Sequence, residues 1–170
     1  TFVVDSTPPI TLRTLTGTAY GKVFSRYSGI TLDAQDNQSG LKAVYYRFDE
    51  GKTRRYTGTL TGKTLAALTQ GTHRLYYYAE DRLGNREEEH HYDFYFDKTP
   101  PDVVVTVAGN EHIHGGTHYL SPRSKVQLRT TEDSTKIKHI RCRIDGGAEF
   151  PFNAGFSLPP KNGNHTVSYY

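Results

Sequence analysis

Three aspartates in turn-rich stretches are the residues of this chain best suited to chemistry: Asp5 in VDSTPP, Asp36 in QDNQSG and Asp81 in EDRLGN. Each sits among Ser, Asn, Gly or Pro, the residues that build corners. Carboxylates in such places have two uses. Three of them converging from separate segments, with Asn85 and Ser39 adding neutral oxygens, would supply the hard ligands a calcium ion takes. Taken singly, the same side chains accept backbone N–H groups and close turns. The sequence leaves both readings open for Asp5, Asp36, Asp81 and Asn85. Histidines raise a second metal question. His112 and His114 stand two apart, on one face if the segment is a strand, and His118 follows closely. Zinc or nickel accepts imidazoles so placed, but an inserted, solvated loop explains them as well. The run Glu87-Glu88-Glu89-His90-His91 reads as a solvated strand start at a sheet edge, where charge opposes stray pairing.

The elements that must position these residues are strands. Ile30, Leu32 and Ala34 alternate with Thr31, Asp33 and Gln35; Val44, Tyr46 and Phe48 with Tyr45 and Arg47; Leu75, Tyr77 and Ala79 with Tyr76, Tyr78 and Glu80; Tyr92, Phe94 and Phe96 with His91, Asp93 and Tyr95. A period of two is the mark of half-buried strands. Helical periodicity is weak throughout, and its nearest approach, TLAAL at 64–68, is too short to stand alone. Asp49-Glu50-Gly51 and Asp145-Gly146-Gly147 carry hairpin chemistry. Several short strands with turns between them predict an all-β, antiparallel sandwich.

The pattern occurs twice. VDSTPP at 4–9 returns as FDKTPP at 96–101, and GTHRLYYY at 71–78 returns as GNHTVSYY at 163–170, both 92 positions on; Asp49 falls on Asp145 at an offset of 96. Length changes confined to loops mark an internal repeat. The second copy carries the same alternation in Val126/Leu128, Ile140/Cys142/Ile144 and Val167/Tyr169. We expect two tandem Ig-like sandwiches, residues 1–97 and 98–170, the second lacking the words matched to 79–96. The chain thus reads as a piece of something longer. The Thr-Pro-Pro step, with fixed φ and no N–H, would stop a strand and stiffen a connection.

Composition narrows the function. Hydrophobic residues make up 35% and no stretch is long enough to span a membrane. The 21 basic and 18 acidic residues are interspersed, giving +3, a solvated surface rather than a nucleic-acid footprint. The lone Cys142 excludes an internal disulfide and falls on an apolar strand face, as a buried inert thiol. Sequence motifs for a serine nucleophile, a zinc protease, a P-loop or a dinucleotide site are missing, so no enzyme is expected. The outward parity gathers Tyr45, Arg47, Tyr76 and Tyr78, with Tyr95. Such a strip is either cross-strand pairing that stabilises the sheet or a face for a glycan or a partner protein.

The ordered words VDSTPP, LDAQDNQSGLKAVYYRFDEG, GTHRLYYYAEDRLGNRE and YDFYFDKTPP resemble the tandem Ig-like repeats of large exported bacterial surface proteins. Those repeats read D-x-S-G-(V/L)-K, then a D-G-G turn, then G-T-H-x-L-x-Y-Y-A-x-D-x-x-G-N. The likeness covers the first copy and the second to its end. In the second copy Thr131-Glu132-Asp133-Ser134-Thr135-Lys136 replaces the D-x-x-S-G wording. The resemblance implies a non-enzymatic stalk or adhesin segment at the cell surface, outside the cell or in the periplasm, with neighbouring repeats, a surface protein or a glycan as partners. An accessory module beside an enzyme is the alternative. In an Ig-like sandwich the loops bearing Asp36 and Asp81 share one end with the start of the first strand. That would bring Asp5, Asp36 and Asp81 together.

Overall fold

The computed structural model describes residues 1–131 and 138–170. The altered loop wording of the second copy, at 132–136, falls among the residues it leaves undescribed. The protein is all-β, with a single one-turn helix among the described residues. It falls into two compact units, Thr1–Thr99 and Pro100–Tyr170.

Unit 1 contains β1 (Ile10–Tyr20), β2 (Val23–Gln35), β3 (Leu41–Phe48), β4 (Arg54–Arg55), the turn of helix α1 (Gly62–Leu65), β5 (Gly71–Asp81) and β6 (His90–Phe96). The ladder order is β1-β2-β6-β5-β3-β4. The link between β2 and β6 is short and parallel, Val23 opposite Tyr95 and Phe24 opposite Phe96. Past that link β2 leaves β6, and Ile30 exchanges backbone hydrogen bonds with Leu60 at 3.0 and 2.8 Å. The sheet therefore doubles over as a sandwich, and its inner side chains meet. Phe24, Ile30 and Leu32 pack with Val44, Tyr46, Leu75, Tyr77, Ala79, Phe94 and Phe96 in one core. These are the inward members of the alternation, and each large one adds about 1.5–3 kcal/mol on burial. A bulge between Gly17 and Ala19 bends β1. Gly17 has φ +74°, and a Cβ there would lie 2.0 Å from the Tyr27 carbonyl oxygen, so the close approach of β1 to β2 needs glycine.

β1 inverts the expected polarity. Ile10 and Leu12 point outward at 76% and 67% exposure, while Thr11 is buried. The inward place belongs to a carboxylate: Glu87 accepts the Thr11 N–H at 3.0 Å and the Thr11 hydroxyl, and also the Ala79 N–H at 2.6 Å. This corrects the reading of 87–91 as a wholly solvated edge. Glu88 and Glu89 are exposed, but Glu87 is buried because it ties β1 to β5.

Unit 2 contains β7 (Val103–Ala108), β8 (Glu111–His114), β9 (Thr117–Leu120), β10 (Lys125–Thr130), β11 (Arg141–Ile144), β12 (Phe150–Pro151) and β13 (Val167–Tyr169). They form a β10-β7 pair, a β12-β11-β13 sheet and a β8-β9 hairpin. Val126, Leu128 and Cys142 are buried, with Ile140, Phe150, Phe152 and Phe156 packed on them. Burial pushes the Cys142 thiol up, which suits an inert packing role. Val167 is half-buried and Tyr169 exposed, unlike Leu75 and Tyr77. The reason is local: β5 lies between β3 and β6, whereas β13 pairs with β11 alone among the described residues.

Candidate functional site: an acidic corner and a repeated Asp–His clamp

Asp5, Asp36 and Asp81 come together, each offering an oxygen within 4.8 Å of the others. Asp81 ends β5, Asp36 follows β2, and Asp5 precedes β1. Asp81 is wholly buried and fully used. Its Oδ1 accepts the N–H groups of Leu83 at 2.9 Å and Asn85 at 2.8 Å. Its Oδ2 accepts the Ser39 hydroxyl at 2.9 Å and the Asn85 amide at 2.6 Å. Asp36 Oδ1 accepts from Gln38 and Gly40, at 3.2 and 2.6 Å. Asp5 accepts from Thr7 and Ser39, each at 2.9 Å. Asn85 also donates to the Asp5 carbonyl at 3.2 Å.

The corner's spacing fits a cation, but its donor set fits a capped turn cluster. All four lone pairs of Asp81 are taken, and Asn85 aims its NH2 group rather than its oxygen inward. These bonds also settle the charge. Burial would raise Asp81, yet the hydrogen bonds from Asn85 and Ser39 outweigh it and hold the carboxyl below its usual value. Asp5 is likewise lowered, first by its hydrogen bond to Ser39 and then by the Thr7 N–H. Among the described residues no Lys or Arg lies within 4.0 Å of these three carboxylates.

The doubled words D-S-T-P-P and D-K-T-P-P share one local structure. Asp5 Oδ1 accepts the Thr7 N–H at 2.9 Å, and Asp97 Oδ1 accepts the Thr99 N–H at 3.0 Å. Both are Asx turns entering the proline pair.

Alternation could not reveal a second repeated site. Asp49, at φ +49°, and Asp145, at φ +52°, occupy left-handed corners of the hairpins after β3 and β11. In unit 1 Asp49 Oδ1 accepts the Arg74 N–H at 2.8 Å. Its Oδ2 lies 2.7 Å from His73 Nδ1, and His73 Nε2 lies 2.8 Å from the Thr69 carbonyl. In unit 2 Asp145 Oδ1 accepts the Thr166 N–H at 2.8 Å; Oδ2 lies 2.7 Å from His165 Nδ1, and His165 Nε2 lies 2.9 Å from the Lys161 carbonyl. The backbone closes the same way, Asp49 N–H to Arg74 O and Asp145 N–H to Thr166 O, each at 2.8 Å. The signal was present in the sequence, since the Asp of the D-x-G turn and the His of G-x-H both recur. Only the fold shows that they meet.

On the outer face of unit 1, Tyr45 and Tyr78 stack at 5.2 Å and 26°. The Arg47 guanidinium lies 3.6 Å over the Tyr76 ring and pairs with Glu89 at 2.8 Å. The β8-β9 hairpin places His112 and His114 on one face, rings parallel and 6.4 Å apart. His118 sits opposite Ile113 on the other face and pairs with Glu111, so the three imidazoles do not converge.

No protein-family model and no curated protein matches this chain.

Proposed function

We propose that this chain is a structural, adhesive stalk segment of a large exported bacterial surface protein, with each β unit a bead that helps hold a distal domain away from the cell. The observation that carries this reading is the repeated Asp–His clamp. Two units with different loops keep the same bonds between a hairpin corner and the start of the next long strand. What is duplicated is therefore a fold-stabilising joint, as expected of modules repeated for their shape. The Asx turn before each Pro-Pro step supports the same reading. Removing residues 6–97 in frame from the parent protein should shorten the reach of the distal domain, and duplicating them should lengthen it, as measured by electron microscopy of the surface layer. Unchanged reach with lost ligand binding would favour the accessory-module alternative.

In this reading the acidic corner is a set of turn caps rather than a calcium site. Millimolar calcium should leave the melting temperature of unit 1 unchanged, whereas Asp81→Ala should lower it with or without the ion. A calcium-dependent rise that Asp81→Ala abolishes would establish the ion site instead.

A further inference from the structure

The outer face of unit 1 presents five cations, and the structure separates them into two classes. Lys42 pairs with Glu80 at 2.7 Å, Arg47 with Glu89 at 2.8 Å, and Arg74 makes a two-point contact with Asp93. These three are neutralised within the sheet. Arg55 and Arg86 have no carboxylate within 4.0 Å among the described residues, and both are exposed.

The two unmatched guanidiniums lie in one row. Arg86 bridges to Glu80 beside β5, and its guanidinium rests 3.5 Å over the Tyr78 ring. Across β5, Tyr78 stands opposite Tyr45 and stacks on it. Tyr45 in turn stands opposite Arg55 on β4, where Arg55 donates to the Lys42 carbonyl at 3.1 Å. The row Arg86–Tyr78–Tyr45–Arg55 thus crosses three strands and the segment beside β5, with a permanent charge at each end and an aromatic pair between.

We propose that this row binds an acidic polysaccharide, its carboxylates on Arg55 and Arg86 and a sugar ring lying along the Tyr45–Tyr78 pair. Guanidinium forks receive carboxylates at two points, and they stay charged at any physiological pH. Part of the ordering cost of binding is already met, because one fork is seated on a ring and the other on a carbonyl. Aromatic side chains offer a flat apolar surface to the C–H face of a sugar. An open row suits an extended polymer rather than a small molecule, which needs a concave pocket. The site goes beyond the spacer reading and stands or falls separately, since a stalk can carry it or lack it.

The test titrates the full chain with oligogalacturonate, a neutral glucan of equal length and polyglutamate, at low and raised salt. Oligogalacturonate should bind, weaken as salt rises, and lose about tenfold or more in affinity when Arg55→Gln and Arg86→Gln are combined, a change of about 1.4 kcal/mol or more. Both side chains are exposed, so circular dichroism should be unchanged in that variant. Arg123→Gln with Lys125→Gln, in unit 2, should have no effect. No binding of oligogalacturonate, or equal binding by the Arg55/Arg86 variant, overturns the proposal. Equal binding of the neutral glucan overturns the role of charge. Polyglutamate binding as tightly through the same arginines overturns the sugar assignment in favour of an acidic protein.

Discussion

Unit 1 and unit 2 share a joint but not a core. The Asp49–His73 and Asp145–His165 clamps match bond for bond. Around them, the unit 1 cluster runs from Phe24 to Phe96, while only Val126, Leu128 and Cys142 are buried in the unit 2 cluster. The clamp depends on residues close to one hairpin and one strand start, so it forms wherever those words are present. The core depends on how many strands flank the central ones, and β5 has a neighbour on both sides where β13 has one. Local bonds can therefore be copied intact into a unit whose packing is thinner.

The largest effect should come from equivalent core positions. Leu75 is fully buried, so Leu75→Ala should cost unit 1 about 2–5 kcal/mol. Its counterpart Val167 is half-buried, and Val167→Ala should cost unit 2 well under half as much. Denaturant unfolding of the whole chain, with the two transitions assigned by hydrogen exchange, measures both. Equal losses would break the comparison.

The clamp should act in the opposite way, lowering both units. Asp49→Ala removes the acceptor of one backbone N–H and one imidazole in a left-handed corner, at a cost of about 1–3 kcal/mol. Asp145→Ala should lower the unit 2 transition in the same direction. Asp49→Asn should recover part of the loss, since Asn tolerates the corner and keeps one acceptor. No change in either unit would reduce the repeated clamp to a coincidence of geometry.

A smaller effect should appear with pH. His165 is held above its usual value, first by Asp145 and then by the Lys161 carbonyl, with the Lys161 charge opposing. Asp145 is held below its usual value, first by His165 and then by the Thr166 N–H. A raised histidine contributes stability that is full below its unfolded value of 6.5 and is lost as pH rises through the folded one. A lowered aspartate contributes above its unfolded value of 3.8 and loses this as pH falls through the folded one. Unit 2 should therefore lose part of its stability on either side of that window, and His165→Ala should remove the loss on the alkaline side. An alkaline loss that persists in His165→Ala would assign it elsewhere. Unit 1 should lose stability on acidification as Asp5 and Asp81, both lowered from 3.8, protonate.

The sequence by itself determined the strands whose inward residues are apolar. The inward members of β2, β3, β5 and β6 are buried or partly buried, because a period of two places every second side chain on one face whatever lies beyond it. It also announced both hairpin corners, since Asp and Gly are the residues that tolerate left-handed backbone. Only the tertiary structure decided what each polar residue does. β1 carried no inward apolar signal because its inner partner is the Glu87 carboxylate, delivered from 76 residues away. The aspartates were legible as candidates, but which lone pairs remained depended on where Ser39 and Asn85 arrived. The outward tyrosines were legible by parity, yet whether an arginine beside them was neutralised depended on cross-strand register. Side-chain periodicity is a property of the local backbone, whereas hydrogen-bond and charge partners come from distant segments and exist only once the chain has closed.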